Sequence, residues 1–306
     1  LSAEQGSIGV KTADTPTSGN PIKFATGASN GMPKFFFDDN ETYGIEYNES
    51  DNCLYLSADL PAFIRKYDDI YYKNGKFYVD AECTKQLKDY TLLSQAVKRI
   101  RDDGKIHMLS QYASSADETV DVPSEVKFKI VRDESFTNGP MFRIFDGTFT
   151  LNVPDSSSMV TFDGENISSS GGAFYSDGVN TKLELKGAEG TSNIMIANNK
   201  VSINSGGIYC GGGDVSLSNC IILNNESSDG LGVGAYFADG TNVMLLGKVV
   251  VRDNLVKGLT NNVYLSGDQT VALSSSSGAK LGEGSFVGLT TSMTPSSGND
   301  ILFATG

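Results

Sequence analysis

The sequence that decides the fold reads IMIANNKVSINSGGIY at residues 194–209, CIILNNESSDGLGVGAY at 220–236 and VVVRDNLVKGLTNNVY at 249–264. In each copy a hydrophobic residue is followed three places later by an asparagine, and a small or amide residue opens an apolar run seven places after that. The recurring asparagines, which lie 26 and then 29 residues apart, are Asn199, Asn225 and Asn254. Because self-similarity at a period of about 20–50 residues is typical of stacked repeats, these copies predict a repeat fold.

Each copy consists of short apolar segments separated by clusters of Gly, Ser, Asn and Asp, without an amphipathic helix between them. The predicted strands cover residues 193–197, 215–217, 220–223, 243–246 and 248–251. Short strands that stack on those of the next coil bury a face that no single coil can bury alone, which indicates a parallel β-helix. Asparagine suits a recurring corner because it tolerates left-handed backbone geometry, and stacked asparagines can bond to one another as a ladder. Glycine at the other corner is expected to supply a positive φ.

Two of these motifs resemble the repeats of the polymorphic outer-membrane proteins of chlamydiae, which carry a Phe-x-x-Asn motif and a Gly-Gly-Ala-Ile-like motif. Residues 171–174 and 206–209 are similar to the second motif. Residues 196–199, 222–225 and 251–254 resemble the first, with Ile or Val in place of Phe. The resemblance covers roughly residues 160–270 and implies a surface-exposed, adhesin-like β-helix.

Composition and charge favour an extracellular or cell-surface protein. The 306 residues include 34 Gly and no Trp, 39% of them are apolar, and the formal net charge is −13. An acidic surface repels nucleic acid and anionic membranes, so we expect no nucleic-acid partner. No apolar run approaches the ~20 residues of a membrane helix, so this segment is not expected to insert into a membrane. The chain begins at Leu1 rather than Met, so we expect that a leader or upstream sequence was removed. An acidic, Ser/Thr-rich β-repeat composition favours a secreted or surface-displayed protein.

A second repeat links the two ends of the chain. A shift of 279 positions aligns residues 4–27 with 283–306 without a gap, and 13 of the 24 aligned positions are identical. Either one domain has two similar edge strands, or the chain spans the end of one tandem unit and the whole of the next. We favour the second alternative, which predicts a β segment of a preceding unit at 1–58 and a β-helix domain at 59–306. A small antiparallel sheet is expected to close the preceding unit, with strands at residues 34–37, 43–47 and 53–57.

The start of the β-helix is expected to combine a strand at residues 76–80, a helix and further short strands. Residues 91–100 have helical spacing, with Thr91 as the N-cap and Gly104 as the stop signal. This order resembles the opening of pectate-lyase-like right-handed β-helices, in which a helix caps the first coil and covers its strand edges. The predicted fold class is therefore all-β: a right-handed parallel β-helix with an N-terminal capping helix and a small N-terminal β segment.

Pectate-lyase-like folds often host polysaccharide lyases and glycosidases, so acidic pairs are candidate catalysts. Glycoside hydrolysis needs two carboxylates that face one sugar ring. Asp177 and Asp239 lie at comparable points, each before a Gly at the end of an apolar run. Since Asp-Gly is also a common turn pair, we interpret both of them, together with Asp163 and Asp268, as turn residues.

The arginines and the single histidine also show no spacing that is typical of a catalytic site. Arg132, Arg143 and Arg252, which a lyase could use as a base, share no position in the repeat and are interpreted as solvated strand residues. His107 is the only histidine and lies on the strand face opposite to its two apolar neighbours, so we interpret it as structural.

Cysteines and clustered tyrosines are the remaining candidates for chemistry. The four cysteines lack metal-ligand spacing and are expected to be free, buried thiols. They are Cys53, Cys83, Cys210 and Cys220. With one histidine, a zinc site is not expected. Tyr71, Tyr72 and Tyr78 could form a carbohydrate-stacking platform, although core packing is the favoured interpretation.

These patterns predict no catalytic, cofactor-binding or metal-binding residues. We expect a structural or adhesive module of a large bacterial cell-surface or secreted repeat protein. It would present a rigid acidic face to a surface protein or glycan of a host or microbe, beside neighbouring tandem units of the same polypeptide. The alternative is a carbohydrate-active β-helix, a polysaccharide lyase or glycosidase, or a glycan-binding module. An enzyme would cluster carboxylates, or arginine, aspartate and calcium, in a groove, whereas a scaffold would keep its polar residues in turns with asparagine stacked inside.

Overall fold

The computed structural model divides the chain into two compact units, Leu1–Lys66 and Tyr67–Gly306. It describes residues 8–10, 15–17, 19–26, 35–37, 44–48, 50–57, 66–203, 205–274, 279–294, 296 and 301–305. The boundary predicted between residues 58 and 59 falls outside the described residues, in the gap at 58–65.

The first unit contains an antiparallel and a parallel sheet. Ile22–Thr26 and Gly44–Asn48 flank Cys53–Ser57 in a three-stranded antiparallel sheet. Ile8–Val10 and Phe35–Phe37 form a separate parallel pair. The prediction of one antiparallel sheet is therefore wrong for its first strand. The long connection between the paired strands allows a parallel arrangement, as between neighbouring coils of the second unit. The predicted strand starts at residues 34 and 43 lie outside the described residues.

The second unit is a parallel β-solenoid of seven coils, whose strands stack into three long sheets that we call faces 1, 2 and 3. Each coil passes through face 1, then face 2, then face 3, and leads into face 1 of the next coil. The coils begin at Ile100, Lys127, Met159, Ile194, Cys220, Val250 and Phe286. This arrangement confirms the predicted all-β, parallel β-helical architecture.

The strands of each face follow one another in spatial order. Face 1 contains Lys76–Tyr78, Tyr67–Lys73, Ile100–Met108, Lys127–Arg132, Met159–Asp163, Ile194–Ala197, Cys220–Leu223, Val250–Arg252 and Phe286–Val287, and only the first pairs antiparallel. Face 2 contains Tyr112–Ser114, Phe142–Ile144, Phe174–Ser176, Ile208–Cys210, Ala235–Phe237, Val263–Leu265 and Leu289–Thr291. Face 3 contains Glu118–Asp121, Gly147–Val153, Thr181–Gly187, Asp214–Ser218, Asn242–Leu246, Val271–Ala272 and Ala304–Thr305. Between faces 1 and 2 lie the corner strands Ser168–Ser169, Lys200–Val201, Glu226–Ser227, Leu255–Val256 and Leu259–Thr260.

The core lies inside the coils, where alternate side chains of the three faces meet. One inward column of face 1, each member at most 1% exposed, consists of Ile106, Ile130, Phe162, Ile196, Ile222 and Val251. Aromatic rings fill the early coils, and the ring centroid of Phe142 lies 5.2–5.4 Å from those of Tyr112, Phe162 and Phe174. Complete burial of one such side chain contributes about 1.5–3 kcal/mol, so the stacked columns are the main source of stability.

The helix predicted at residues 91–100 is shorter than expected. The α-helix covers Leu93–Ala96 and continues as the 3₁₀ helix Val97–Arg99, after which the chain enters the face 1 strand Ile100–Met108. Gly104, the predicted stop signal, lies within that strand, because it pairs there in parallel with Phe128 of the next coil.

The N-terminal edge of the solenoid also differs from the prediction. Leu92 rather than Thr91 is the N-cap of the helix, and Oε1 of Gln95 accepts hydrogen bonds from both backbone N–H groups at 3.2 Å. On face 1, Tyr67–Lys73 and Lys76–Tyr78 extend the sheet beyond the first coil. A capping role for the short helix therefore stays a prediction.

Asparagines stack at the recurring corner, as predicted. Nδ2 of Asn199 donates to Oδ1 of Asn225 at 2.9 Å, and Nδ2 of Asn225 donates to Oδ1 of Asn254 at 2.8 Å. Nδ2 of Asn254 completes the ladder by donating to Oδ1 of Asn262 at 3.0 Å. The left-handed backbone expected of these asparagines belongs instead to the residues before them, Asn198, Asn224 and Asp253, with φ of 55–57°.

Glycines at the opposite corner serve close approach between coils. A Cβ atom on Gly172 or Gly207 would lie 2.1 Å from a carbonyl oxygen of the next coil, a distance that no side chain tolerates. Only Gly232 in this set of runs has a positive φ, +59°. The prediction that these glycines supply positive φ is therefore wrong for most of them, since the spacing of the coils rather than the backbone angle excludes a side chain.

Candidate functional site

An open groove of about 690 Å³ crosses face 3 and the corner that precedes it. Lys182, Asp214 and Asn242 line it from three successive coils, because the register of face 3 places them side by side. Their side chains point outward since the residues that follow them in each strand fill the core. Asp239 and Asp268 line the same groove from the corner turns. The repeat pattern did not predict this groove, although the alternation within each strand identifies the outward positions.

Glu184 is the most strongly bound carboxylate of the groove. Its two oxygens lie 2.9 Å from Nζ of Lys182 and 2.7 Å from Nζ of Lys186, and Oγ1 of Thr150 donates to it at 2.9 Å. Partial burial raises its pKa, but the hydrogen bonds from Lys182, Lys186 and Thr150 outweigh burial and lower the pKa to about 2. A glycosidase acid needs a raised pKa, so Glu184 is suited to ion pairing rather than proton donation.

We expect Glu184→Gln to flatten the acid limb of the stability curve. A carboxylate with a folded pKa of about 2, below its ordinary 4.5, stabilises the fold above the ordinary pKa, and this contribution is lost as the pH falls between those values. Urea unfolding at pH 7 and pH 3 should show a pH-dependent loss smaller by about 1–2 kcal/mol in the variant. The exposed Glu189→Gln is the control and should behave like the parent chain. Equal losses in Glu184→Gln and parent would contradict the role of this carboxylate.

The carboxylates predicted as turn residues lie in turns or at strand ends. Asp163 ends a face 1 strand, where Lys129 Nζ at 2.9 Å and Asn198 Nδ2 at 3.0 Å bind it. Burial raises the pKa of Asp163, and its hydrogen bonds lower the pKa by more, so the net shift is downward. Asp239 precedes Gly240, which has a φ of +81°, and Asp268 follows Gly267, which has a φ of +57°.

Asp177 and Asp239 do not occupy equivalent positions. The register of face 2 aligns Asp177 with Ala238, one residue before Asp239. One whole coil lies between the two acids, so at about 4.8 Å per coil their backbones are about 9–10 Å apart along the solenoid. The carboxylates of a retaining glycosidase lie about 5–5.5 Å apart, which is closer than this backbone spacing.

Arg132 is buried, and its interpretation as a solvated residue is wrong. Its side chain lies at the end of a face 1 strand and is 2% exposed. The guanidinium donates to the carbonyl oxygens of Phe136 at 3.1 Å, Gly139 at 3.0 Å, Gly171 at 2.7 Å and Gly172 at 2.9 Å. Burial lowers its pKa to about 10, so the group stays protonated at neutral pH. Four carbonyls of two separate loops thus provide the compensation that a buried charge requires.

The other two arginines lie at the surface. The guanidinium of Arg143 lies over the rings of Phe145 and Tyr175, 4.5 and 5.2 Å from their centroids, and contacts Asp177 at 3.5 Å. Arg252 is exposed and pairs with the adjacent Asp253 at 3.1 Å. The three arginines therefore do not meet at one site.

His107 faces outward between two fully buried neighbours, as the alternation predicts. Its ring stacks on Tyr71 with centroids 4.6 Å apart, and its Nε2 lies 2.8 Å from Oδ1 of Asp69. Tyr71 and Tyr78 are cross-strand neighbours on that surface, whereas Tyr72 packs in the core. The three clustered tyrosines therefore do not form one platform.

All four cysteines are free. Cys210 and Cys220 lie buried inside the solenoid, and burial raises the pKa of both thiols, that of Cys220 to about 12. Cys53 is buried in the first unit, and Cys83 is only half-buried. The expectation of free, buried thiols inside the coils thus holds for two of the four.

Four tyrosines form a stacked ladder along face 2. They are Tyr175, Tyr209, Tyr236 and Tyr264, with successive centroids 4.7, 5.0 and 5.6 Å apart and interplanar angles of 2–8°. Each is half-buried, so the ring faces cover one another and the ring edges meet solvent. A tyrosine ends the apolar run of each copy, and this recurrence is the sequence pattern that indicates a stacked ladder. We did not predict the ladder from it.

Removing a ring from the middle of this tyrosine ladder should cost more than removing one from its end. Tyr209→Ala breaks two stacked pairs and Tyr264→Ala breaks one, and each pair contributes about 0.5–1.5 kcal/mol beyond its buried area. We therefore expect a loss of about 2 kcal/mol for Tyr209→Ala and about half of that for Tyr264→Ala, measured by urea unfolding. Equal losses would show that stacking does not contribute.

Within the part of the chain that the structure describes, no group of three or more His, Cys, Asp or Glu side chains is placed to hold a metal ion. In the same part of the chain, no helix has the length and apolar character needed to cross a membrane.

Comparisons of the chain with protein-family models, curated proteins and solved structures found no match. The likenesses to the chlamydial repeats and to pectate-lyase-like proteins therefore stay predictions from short motifs. The parallel β-solenoid, in contrast, is directly visible in the strand pairing.

Proposed function

We propose that this chain is a non-catalytic structural and adhesive module of a large bacterial cell-surface or secreted repeat protein. It presents a rigid, acidic face to a surface protein or glycan, and neighbouring units of the same polypeptide adjoin it. The acidic composition, the repeat that links the two chain ends and the solenoid architecture support this proposal.

The observation that carries the proposal is that outward polar side chains bond to one another from coil to coil. Such pairs are Asp121–Asn152 at 3.0 Å, Lys129–Asp163 at 2.9 Å, Thr150–Glu184 at 2.9 Å, Asp214–Asn242 at 2.8 Å and Asp229–Lys257 at 2.7 Å. Strand pairing fixes the spacing of neighbouring coils at about 4.8 Å, and these bonds link polar side chains across that spacing, so the polar groups recur regularly along the surface. A preorganised surface of this kind binds an extended partner at a low entropic cost.

The groove on face 3 favours a second candidate, a glycan-binding or carbohydrate-active β-helix. Lys182, Asp214 and Asn242 offer donors and acceptors in a row across three coils, which suits a chain of hydroxyl groups. The lowered pKa of Glu184 favours binding over hydrolysis at this groove.

The test is retention and turnover measured on the same samples. The full chain would be applied, with calcium, to immobilised neutral, amino and uronic-acid polysaccharides, and both bound protein and new chain ends would be quantified. We expect retention on at least one polysaccharide without new chain ends. New chain ends would overturn the non-catalytic proposal, and no retention on any surface would contradict adhesion to glycans.

A matched pair of variants locates the binding surface. Asp214→Asn changes the groove, and Asp229→Asn removes a charge of the same kind at an exposed corner outside it. If the groove binds the glycan, Asp214→Asn should weaken retention by about 10-fold and Asp229→Asn should leave it unchanged.

A further inference from the structure

The last strand of each face leaves one edge open. Phe286–Val287, Leu289–Thr291 and Ala304–Thr305 each have a parallel partner on one side, and no described strand pairs with the other. Large apolar side chains are exposed here: Phe286 at 56%, Leu302 at 64% and Phe303 at 51%. An open strand edge with apolar side chains beside it is a ready docking surface for another strand.

The two edges of the segment at residues 301–305, which ends in the strand Ala304–Thr305, can be told apart. The carbonyls of Phe303 and Thr305 accept hydrogen bonds from Val271 and Leu273, at 3.1 and 2.8 Å. Because successive residues of a strand point their backbone groups in opposite directions, the backbone groups of Leu302 and Ala304 lie on the open edge.

A similar sequence occurs in the first unit, where it has a different neighbour. Residues 4–27 share 13 of 24 positions with 283–306, and Ile22–Thr26 is the counterpart of 301–305. Ile22–Thr26 pairs antiparallel with Cys53–Ser57, which itself pairs with Gly44–Asn48. The counterpart strand Ile22–Thr26 therefore pairs with an antiparallel hairpin formed by Gly44–Asn48 and Cys53–Ser57.

Side chains of the strand that pairs with Ile22–Thr26 are buried. Cys53, Leu54 and Leu56 are at most 2% exposed. Phe24, the counterpart of the exposed Phe303, is half-buried rather than exposed. The strand in the first unit is therefore better covered than its counterpart in the last coil.

We propose that the open edge at residues 301–305 receives an antiparallel hairpin like that of residues 44–57, supplied by the segment that follows residue 306 in a tandem polypeptide. The inference rests on the tandem arrangement in the proposed function and names the segment that closes the last coil. The strand at the end of each solenoid then has a parallel neighbour from the preceding coil on one side. On the other side it has an antiparallel neighbour from the following hairpin, so the hydrogen bonding of face 3 continues past the last coil.

A substitution at position 302 can distinguish the proposed strand–hairpin pairing from association that depends only on exposed apolar side chains. In the first unit, Nζ of Lys23 lies 2.8 Å from Asp51 and 5.6 Å from the ring centroid of Tyr55, whose hydroxyl donates to Asp51 at 2.6 Å. The counterpart of Lys23 is Leu302. Leu302→Lys should therefore improve docking of the proposed hairpin, whereas it would weaken any association that depends only on exposed apolar side chains.

The first experiment extends the full chain by a copy of residues 28–57 placed directly after Gly306, the counterpart of Gly27. A scrambled copy of the same composition is the control. We expect hydrogen exchange at the amides of Leu302 and Ala304 to slow by about 10-fold or more in the extended chain, and the unfolding midpoint of the solenoid to rise by about 2–4 °C. Unchanged exchange, or equal protection by the scrambled copy, would overturn the proposal.

The second experiment combines Leu302→Lys with the extension. The lysine should raise the unfolding midpoint by about 1 °C in the extended chain, and this gain should disappear when the appended copy of Asp51 is changed to Asn. A lysine that lowers both the midpoint and the protection would overturn the antiparallel register. These results do not depend on glycan retention, so failure of the docking and failure of the adhesive role are separately visible.

Discussion

The Asn225→Ala chain is expected to lose about 3–4 kcal/mol of its free energy of unfolding. Asn225 is 1% exposed, and its Oδ1 accepts hydrogen bonds from the backbone N–H of Asn199 at 3.1 Å and from Nδ2 of the same residue at 2.9 Å. Its own Nδ2 donates to Asn254 at 2.8 Å. Alanine leaves these buried groups without partners, and each unsatisfied group costs about 1–3 kcal/mol.

Urea unfolding followed by circular dichroism measures this loss. The matched control is Asn242→Ala, since Asn242 is exposed on face 3 and its amide bonds to Asp214 at the surface. We expect the control to lie within about 0.5 kcal/mol of the parent chain. Similar losses in the two variants would mean that the buried stack contributes no more than a surface hydrogen bond.

Replacing Arg132 by methionine should cost about 3–5 kcal/mol. Methionine keeps an unbranched apolar stem of similar length, so the loss reports on the guanidinium group. Without that group, the carbonyls of Phe136, Gly139, Gly171 and Gly172 lose a charged donor, and hydrogen bonds to charged groups contribute about 1.5–3 kcal/mol each.

Two further variants separate charge, geometry and burial at this position. Arg252→Met removes an exposed arginine with a single ion pair on the same face, and we expect a loss of at most about 1 kcal/mol. Arg132→Lys keeps the charge but lacks the planar fork that reaches four carbonyls, so it should recover less than half of the stability lost in Arg132→Met. Full recovery by lysine would show that charge alone is sufficient.

Features of the fold that depend only on residues within one repeat could be predicted from the sequence. The interval between Asn199, Asn225 and Asn254 identified the coil, and the chemistry of a buried amide predicted the ladder. The alternation of apolar and polar side chains around His107 likewise predicted that its ring faces the outer surface. This alternation is visible in adjacent residues of the sequence alone.

The features that could not be predicted depend on residues far apart in sequence. Arg132 meets carbonyls 39 and 40 residues further along the chain, so its neighbours in sequence gave no sign of burial. Gly172 lacks a side chain because the next coil passes directly against it. The groove depends on the register of Lys182, Asp214 and Asn242 in coils of unequal length, which a repeat motif does not specify. At residues 91–100 a helical pattern ends early because Ile100 pairs with a strand that the sequence analysis did not predict.

The side-chain amide dipoles of the asparagine ladder are aligned along the solenoid. In each amide-to-amide bond the Nδ2 donates to the Oδ1 of the next asparagine toward the C-terminus, so the amide dipoles of Asn199, Asn225 and Asn254 point the same way and polarise one another. Oδ1 of Asn199 has no hydrogen-bond partner among the described residues, so the row begins with a free carbonyl. This corner therefore carries a partial negative charge at its N-terminal end and a partial positive charge at its C-terminal end, in the coil before the last.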